Sequence, residues 1–187
     1  MIHFEYYPSV EYSDTLSKNI TVRGKIRDAV LKNSALYYKY TVEDHLRPEI
    51  ISHKYYGSPS YVWAIYYANN IFDPINDWVR SPKEMEEYIR QKYGSIEGAS
   101  RTRNSDGTIN WDNIHHFVEV DATDKNTYII DRKTFETRMR TGNSNVKAVT
   151  FYEYENQLNE KKRNIIILDK SMLMQVVGEL RNLFSES

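Results

Sequence analysis

Residues 37–94 read YYKYTVEDHLRPEIISHKYYGSPSYVWAIYYANNIFDPINDWVRSPKEMEEYIRQKYG, and the order of elements in this stretch decides the fold. Tyr38, Tyr40 and Val42 alternate with Tyr37, Lys39 and Thr41, the period of a half-buried strand. Asp44 is placed to cap a helix, and Pro48 suits a first helical turn, where its missing N–H costs nothing. Ile50, Ile51 and Tyr55 follow at helical spacing, and Gly57 supplies the left-handed residue that stops the helix. Ser58-Pro59 starts a second helix, with Val62, Ile65, Tyr66 and Asn69 on one face. Asn69-Asn70 ends it, Asp73-Pro74 makes a turn, and Asn76 to Val79 reads as a short extended piece. The predicted order is strand, helix, helix, strand.

That order, with its Tyr-x-Val strand and an Asn ending before Asp-Pro, resembles the LysM fold. The string RPEIISHKYYGSPSYVWAIYYANNIFDPINDWVRS is closer still to the core of the baseplate wedge protein 53 family of contractile-tailed, T-even-like phages. The residues that carry the resemblance are Arg47-Pro48-Glu49 at the first helix entry, Tyr56-Gly57 at the hinge, Trp63 in the second helix, and Asn70, Asp73-Pro74 and Trp78 at the exit. A second matching segment, YENQLNEKKRNIII, lies at residues 154–167. The resemblance covers the N-terminal and C-terminal thirds and is thin in the middle.

Outward from the core, residues 1–13 (MIHFEYYPSVEYS) alternate aromatic and polar residues around Pro8 and predict an extended arm, with 14–19 a loop. Phe4, Tyr6, Tyr7 and Tyr12 are its candidate interface residues; such arms are often ordered by a partner. Ile26, Ala29, Val30 and Asn33 predict a short helix over 21–34. Ser81-Pro82-Lys83-Glu84 is a capping box, followed by an apolar face at Met85, Tyr88, Ile89 and Tyr93. Residues 95–145 predict a β-rich insertion: a turn at Asp106-Gly107, a strand at 114–121 and a second at 127–130, with 132–139 ambiguous. Residues 146–152 predict a strand, 153–163 a helix, and Ile165 to Leu168 a buried strand. Asp169 caps a last helix whose stripe is Leu173, Val176, Val177, Leu180, Leu183 and Phe184. The fold class is α+β: a LysM-like β-α-α-β core with flanking helices, the insertion, and a C-terminal strand and helix. The segments are an arm and short helix (1–34), the core with its following helix (35–94), the insertion (95–145) and a C-terminal segment packing on the core (146–187).

A chain of 187 residues can bury a core without disulfides, and with no cysteine it has neither disulfides nor thiolate metal ligands. With 25 basic and 26 acidic residues, no global charge favours nucleic acid or an anionic membrane. The N-terminus does not read as a signal peptide, and the apolar run Tyr61–Ala68 is too short to span a bilayer. The expected place of synthesis is therefore the host cytoplasm. Sixteen tyrosines fit interfaces equally as well as an AT-rich genome.

The chemistry-bearing candidates are few. His115-His116 with Glu119 and Asp121 is the one cluster suggesting a metal, but adjacent residues of a strand point to opposite faces, so no metal or other cofactor is expected. Glu43, Asp44 and Glu49 are the carboxylates considered for catalysis; two of them fit helix-entry roles, and no nucleophile elbow, His-Glu-x-x-His or phosphate loop is present. No enzymatic activity is expected. Arg132-Lys133 and Lys161-Lys162-Arg163, each near acidic residues, read as solvated faces or salt-bridging surface. Trp63 is expected in the core, while Trp78 suits either the core or an interface.

The resemblance implies a virion protein of the tail baseplate, a wedge subunit that clamps neighbouring wedge proteins and helps join wedges around the hub. The partners it implies are the wedge scaffold protein and the sheath-initiating, lysozyme-like wedge protein, in six-fold-related copies. The alternative is a LysM-type module binding peptidoglycan or chitin.

Overall fold

The computed structural model describes residues 7–19, 36–44, 46–121, 123, 125–142 and 145–185. Phe4, Tyr6 and the helix expected over 21–34 lie outside them, as do the side chains of Leu180, Leu183 and Phe184. The fold is α+β, and the chain divides into two compact units: the residues up to Val79 together with those from Lys162 onward, and Arg80–Lys161. The expected boundaries at 94/95 and 145/146 fall inside the second unit.

In the first unit, β1 (Ser9–Tyr12) and β2 (Thr15–Lys18) pair antiparallel, from Ser9 opposite Lys18 to Tyr12 opposite Thr15. The expected loop over 14–19 is therefore a second strand. Ser13 (φ 48°) and Asp14 (φ 61°) both sit in the left-handed region, as a two-residue hairpin turn with the twist of its strands requires. Ser-Asp lacks the Asn-Gly signature of such turns, which hid the hairpin from the sequence reading.

The strand β3 (Tyr37–Thr41) leads to α1 (Pro48–Tyr56). Arg47, in extended conformation, holds the N-cap position without a side-chain cap, and Pro48 begins the helix. Asp44 lies too early to cap it; it ion-pairs instead with Arg163, which also donates to the Val42 carbonyl at 3.1 Å. Gly57 (φ 80°) ends α1 with its N–H on the His53 carbonyl. A 3-10 turn (Pro59–Tyr61), capped by Ser58, opens α2 (Val62–Ala68).

The strand expected over 76–79 does not form: residues 74–77 are a turn. The partner of β3 is β7 (Asn164–Leu168), antiparallel from Tyr37 opposite Leu168 to Thr41 opposite Asn164. The strand-helix-helix-strand order thus exists with residues 80–161 inserted before its last strand. α7 (Lys170–Ser185) follows, its first turn bound by the Asp169 carboxylate accepting from the Ser171 N–H at 2.8 Å. Val42, Ile51, Tyr56, Trp63, Ile65, Ile167, Leu168 and Leu173 fill the core. Asn69 closes the free edge of β7: its amide donates to the Ile166 carbonyl and accepts from the Ile166 N–H, both at 2.8 Å.

In the second unit, α3 (Pro82–Tyr93) opens on the expected capping box. Ser81 Oγ accepts from the Glu84 N–H, and Glu84 accepts from the Ser81 N–H at 2.8 Å. Met85 and Ile89 are its buried face. α4 (Ile96–Ser100) is capped by Ser95. β4 (Ile114–Val120) is the centre of an antiparallel sheet with β5 (Thr127–Ile130) and β6 (Val146–Thr150) at its edges. Between β5 and β6 lies α5 (Arg132–Arg140), capped by Asp131, and α6 (Phe151–Lys161) follows β6. The 95–145 segment is therefore mixed rather than β-rich. α5 escapes a periodicity reading because Phe135 is its single buried residue. α6 begins on a second reciprocal cap: Glu153 accepts from the Thr150 N–H at 3.0 Å, and Thr150 accepts from the Glu153 N–H at 3.2 Å.

Candidate interaction surfaces

Most polar side chains singled out in the sequence serve the fold. Tyr56 is buried and donates to the Leu168 carbonyl at 3.1 Å. Burial raises its pKa most, and the bond to Leu168 opposes that rise in part. Trp63 is core. Trp78 is half-buried against the same core, its indole N–H on the Leu46 carbonyl at 3.2 Å, so its ring holds the exit segment to the loop before α1. Pro48 is buried, whereas Arg47 and Glu49 are exposed. Asn70 takes φ 54°, turning the chain out of α2 toward Asp73-Pro74.

The histidine pair departs from expectation. A register shift between Ile114 and His116, relative to β6, breaks the alternation of the strand. The two rings converge, with Nδ1 atoms 2.8 Å apart, instead of facing opposite ways. His115 stacks on Tyr154 at 3.7 Å between centroids. Burial, then His115, lowers the pKa of His116, so that ring favours the neutral state. Glu119 is turned elsewhere, to Arg138 at 3.2 Å. Among the described residues, no group of three or more His, Cys, Asp or Glu is placed to hold a metal.

Glu155 is the one buried carboxylate among the described residues, 7% exposed. It accepts from Lys92 at 2.6 Å, Tyr93 at 2.8 Å and Tyr88 at 3.3 Å. Burial alone would raise its pKa; those bonds outweigh burial and hold it below the usual carboxylate value. Saturated by three donors, it ties α6 to α3 and is not poised as an acid or base. No sequence motif announced it, because its donors come from a helix remote in sequence.

An open hollow of about 320 Å³ is lined by Tyr38, Tyr55, Tyr56, Leu168, Asp169 and Lys170. The Tyr38 hydroxyl already donates to Asp169 at 2.8 Å. No helix among the described residues is long and apolar enough to cross a membrane.

What remains is surface. All eight residues of β1 and β2 are exposed. Tyr12 and Leu16, at 72% and 76%, point to opposite faces of the ribbon. Tyr7, by contrast, is buried at the base of the hairpin, its hydroxyl 2.6 Å from that of Tyr67. Of the expected arm residues, Tyr7 thus anchors the hairpin and Tyr12 is displayed.

These features define a small α+β protein whose buried carboxylate, Glu155, is committed to its own fold and whose apolar side chains at Tyr12 and Leu16 are held out on a short hairpin. The family model for base plate wedge protein 53 matches residues 3–183, and the chain belongs to that family. No curated protein matches it. Membership gives the protein a structural role in a phage tail baseplate, in contact with other baseplate proteins.

Proposed function

We propose that the protein is a non-catalytic wedge subunit that clamps neighbouring wedge proteins and helps join wedges around the hub. The wedge scaffold protein and the sheath-initiating, lysozyme-like wedge protein are its partners, in six-fold-related copies. The observation that carries this reading is the β1–β2 hairpin: two strands with every residue exposed, anchored through Tyr7. An isolated hairpin is marginal in water, and a neighbour that covers Tyr12 or Leu16 supplies the burial it lacks. Hydrogen exchange tests this directly. Amides of residues 9–18 should exchange quickly in the purified chain and slowly in assembled wedges. Equal protection in both states, or intact tails assembled without the protein, would sink the reading.

A LysM-type glycan module is the second reading, favoured by the tyrosine-lined hollow. Retention on chitin or peptidoglycan, abolished by Tyr55→Ala, would support it; passage straight through would retire it.

A further inference from the structure

Ile75 is the most exposed large apolar side chain among the described residues, at 83%, and Phe72, three positions earlier, is 63% exposed. Single exposed apolar residues are ordinary. What sets this pair apart is the loop that carries it. The Asp77 carboxylate accepts from the Phe72 and Asp73 N–H groups, both at 3.0 Å. The Asp73 carboxylate accepts from the Ile75 and Asn76 N–H groups at 3.0 and 3.2 Å, and from the Asn76 amide at 2.6 Å. The Asp77 N–H returns to the Asp73 carbonyl at 2.7 Å. Pro74 has no N–H, so every backbone donor from 72 to 77 is taken within the loop. Ile71 is buried at one end and Val79 at the other, and Lys162 braces the Asn76 carbonyl at 2.6 Å.

A loop built this way keeps its backbone donors paired when water is withdrawn. Its outward apolar surface can be pressed against a dry wall without stranding a backbone donor, the usual cost of burying a turn. Its shape is set beforehand, so little ordering entropy opposes docking. A sugar or another polar ligand needs donors that this loop has already committed. The loop also carries two carboxylates, Asp73 and Asp77, whose field favours positive charge around whatever receives it.

We infer that the Phe72–Asp77 loop is a docking knob, which inserts Ile75, flanked by Phe72, into an apolar socket rimmed by Lys or Arg on another polypeptide of the base plate wedge. This rests on the wedge-subunit reading above. The test uses the full chain with a photo-crosslinking side chain at position 75, mixed with the other wedge polypeptides of the same phage, purified together. The expected product joins position 75 to an apolar segment with basic neighbours in one of them. Ile75→Asp should weaken co-assembly by about tenfold or more and leave the melting temperature unchanged, and added salt should weaken the wild type. A crosslink to a second copy of this chain would overturn the knob, as would full co-assembly by Ile75→Asp; either leaves the wedge-subunit reading standing. Failure of the wild-type chain to associate with any wedge polypeptide would overturn both.

Discussion

Among its described residues, the first unit holds two antiparallel two-stranded ladders that share a secondary structure and little else. β3–β7 joins residues more than a hundred positions apart, and Ile165, Ile167 and Leu168 of its second strand are buried against α1, α2 and α7. β1–β2 closes through a two-residue turn, with all eight strand residues exposed. Closing the long loop is entropically costly, so β3–β7 exists only because the core repays it. Closing the hairpin costs little, and its hydrogen bonds stand in water, where each is worth little net. One ladder is a product of folding. The other leaves all its strand residues in solvent.

The sharpest way to break this contrast is to cut the same side chain from both. Leu168 is 1% exposed, and Leu168→Ala should cost about 2–5 kcal/mol, read as a fall in denaturant midpoint at unchanged slope. Leu16→Ala on the hairpin should stay within about 0.5 kcal/mol. Comparable losses at both positions would erase the distinction.

The next effect concerns the edge. Asn69 occupies the outer side of β7 at Ile166, donating to the carbonyl and accepting from the N–H. Asn69→Ala leaves both backbone groups of Ile166 without that partner and should cost about 1–3 kcal/mol by urea unfolding. Asn69→Asp restores the acceptor alone and should recover part of the loss. If Asn69→Ala costs nothing, the edge bonds contribute nothing and β7 is held by its apolar face only.

Alkali separates the ladders in a third way. Burial, with Glu49 adding to it, raises Tyr66 from 10.0 to about 12, and burial raises Tyr56 further. Each phenol is favoured neutral in the folded chain, so above pH 10 the unfolded chain binds fewer protons than the folded one. Stability from these groups is full below the unfolded value and declines as pH rises from about 10 through about 12. Unfolding followed by phenolate absorbance should show late, cooperative ionisation for the body of this unit. Free, gradual ionisation of all sixteen tyrosines, without unfolding, would contradict the burial of Tyr56.

The contrast also sorts what the sequence disclosed. Signals complete within four residues were readable: the Ser81–Glu84 box, the Gly57 stop, and the β-branched run that became β7. Pairing was not. Nothing local says that Tyr38 lies opposite Ile167 rather than near Val79, because a strand's pattern gives its buried face and not its neighbour. The bulge at His115 and the donors around Glu155 are likewise properties of remote segments brought together. α5 hid behind its chemistry, since threonines and arginines around one Phe135 make no stripe. Tyr12 stands out from its alternation and is exposed, whereas nothing in its spacing marks Ile75: what singles it out is the set of hydrogen bonds inside the 72–77 loop.

The smallest predicted effect tests whether the hairpin is held below its attainable stability. Ser13 and Asp14 both take positive φ, which costs roughly 1–2 kcal/mol per ordinary residue, less for Asp. Asn-Gly is the pair that such a turn prefers. Replacing Ser13→Asn and Asp14→Gly together should therefore slow exchange of the residue 9–18 amides severalfold in the free chain. The global unfolding free energy should move by less than about 0.5 kcal/mol, because no residue of the two strands is buried and the core does not depend on them. A matching rise in global stability would mean that the hairpin folds as part of the body. The two ladders would then differ in exposure alone, and Tyr12 and Leu16 would have to be explained without a neighbour to cover them.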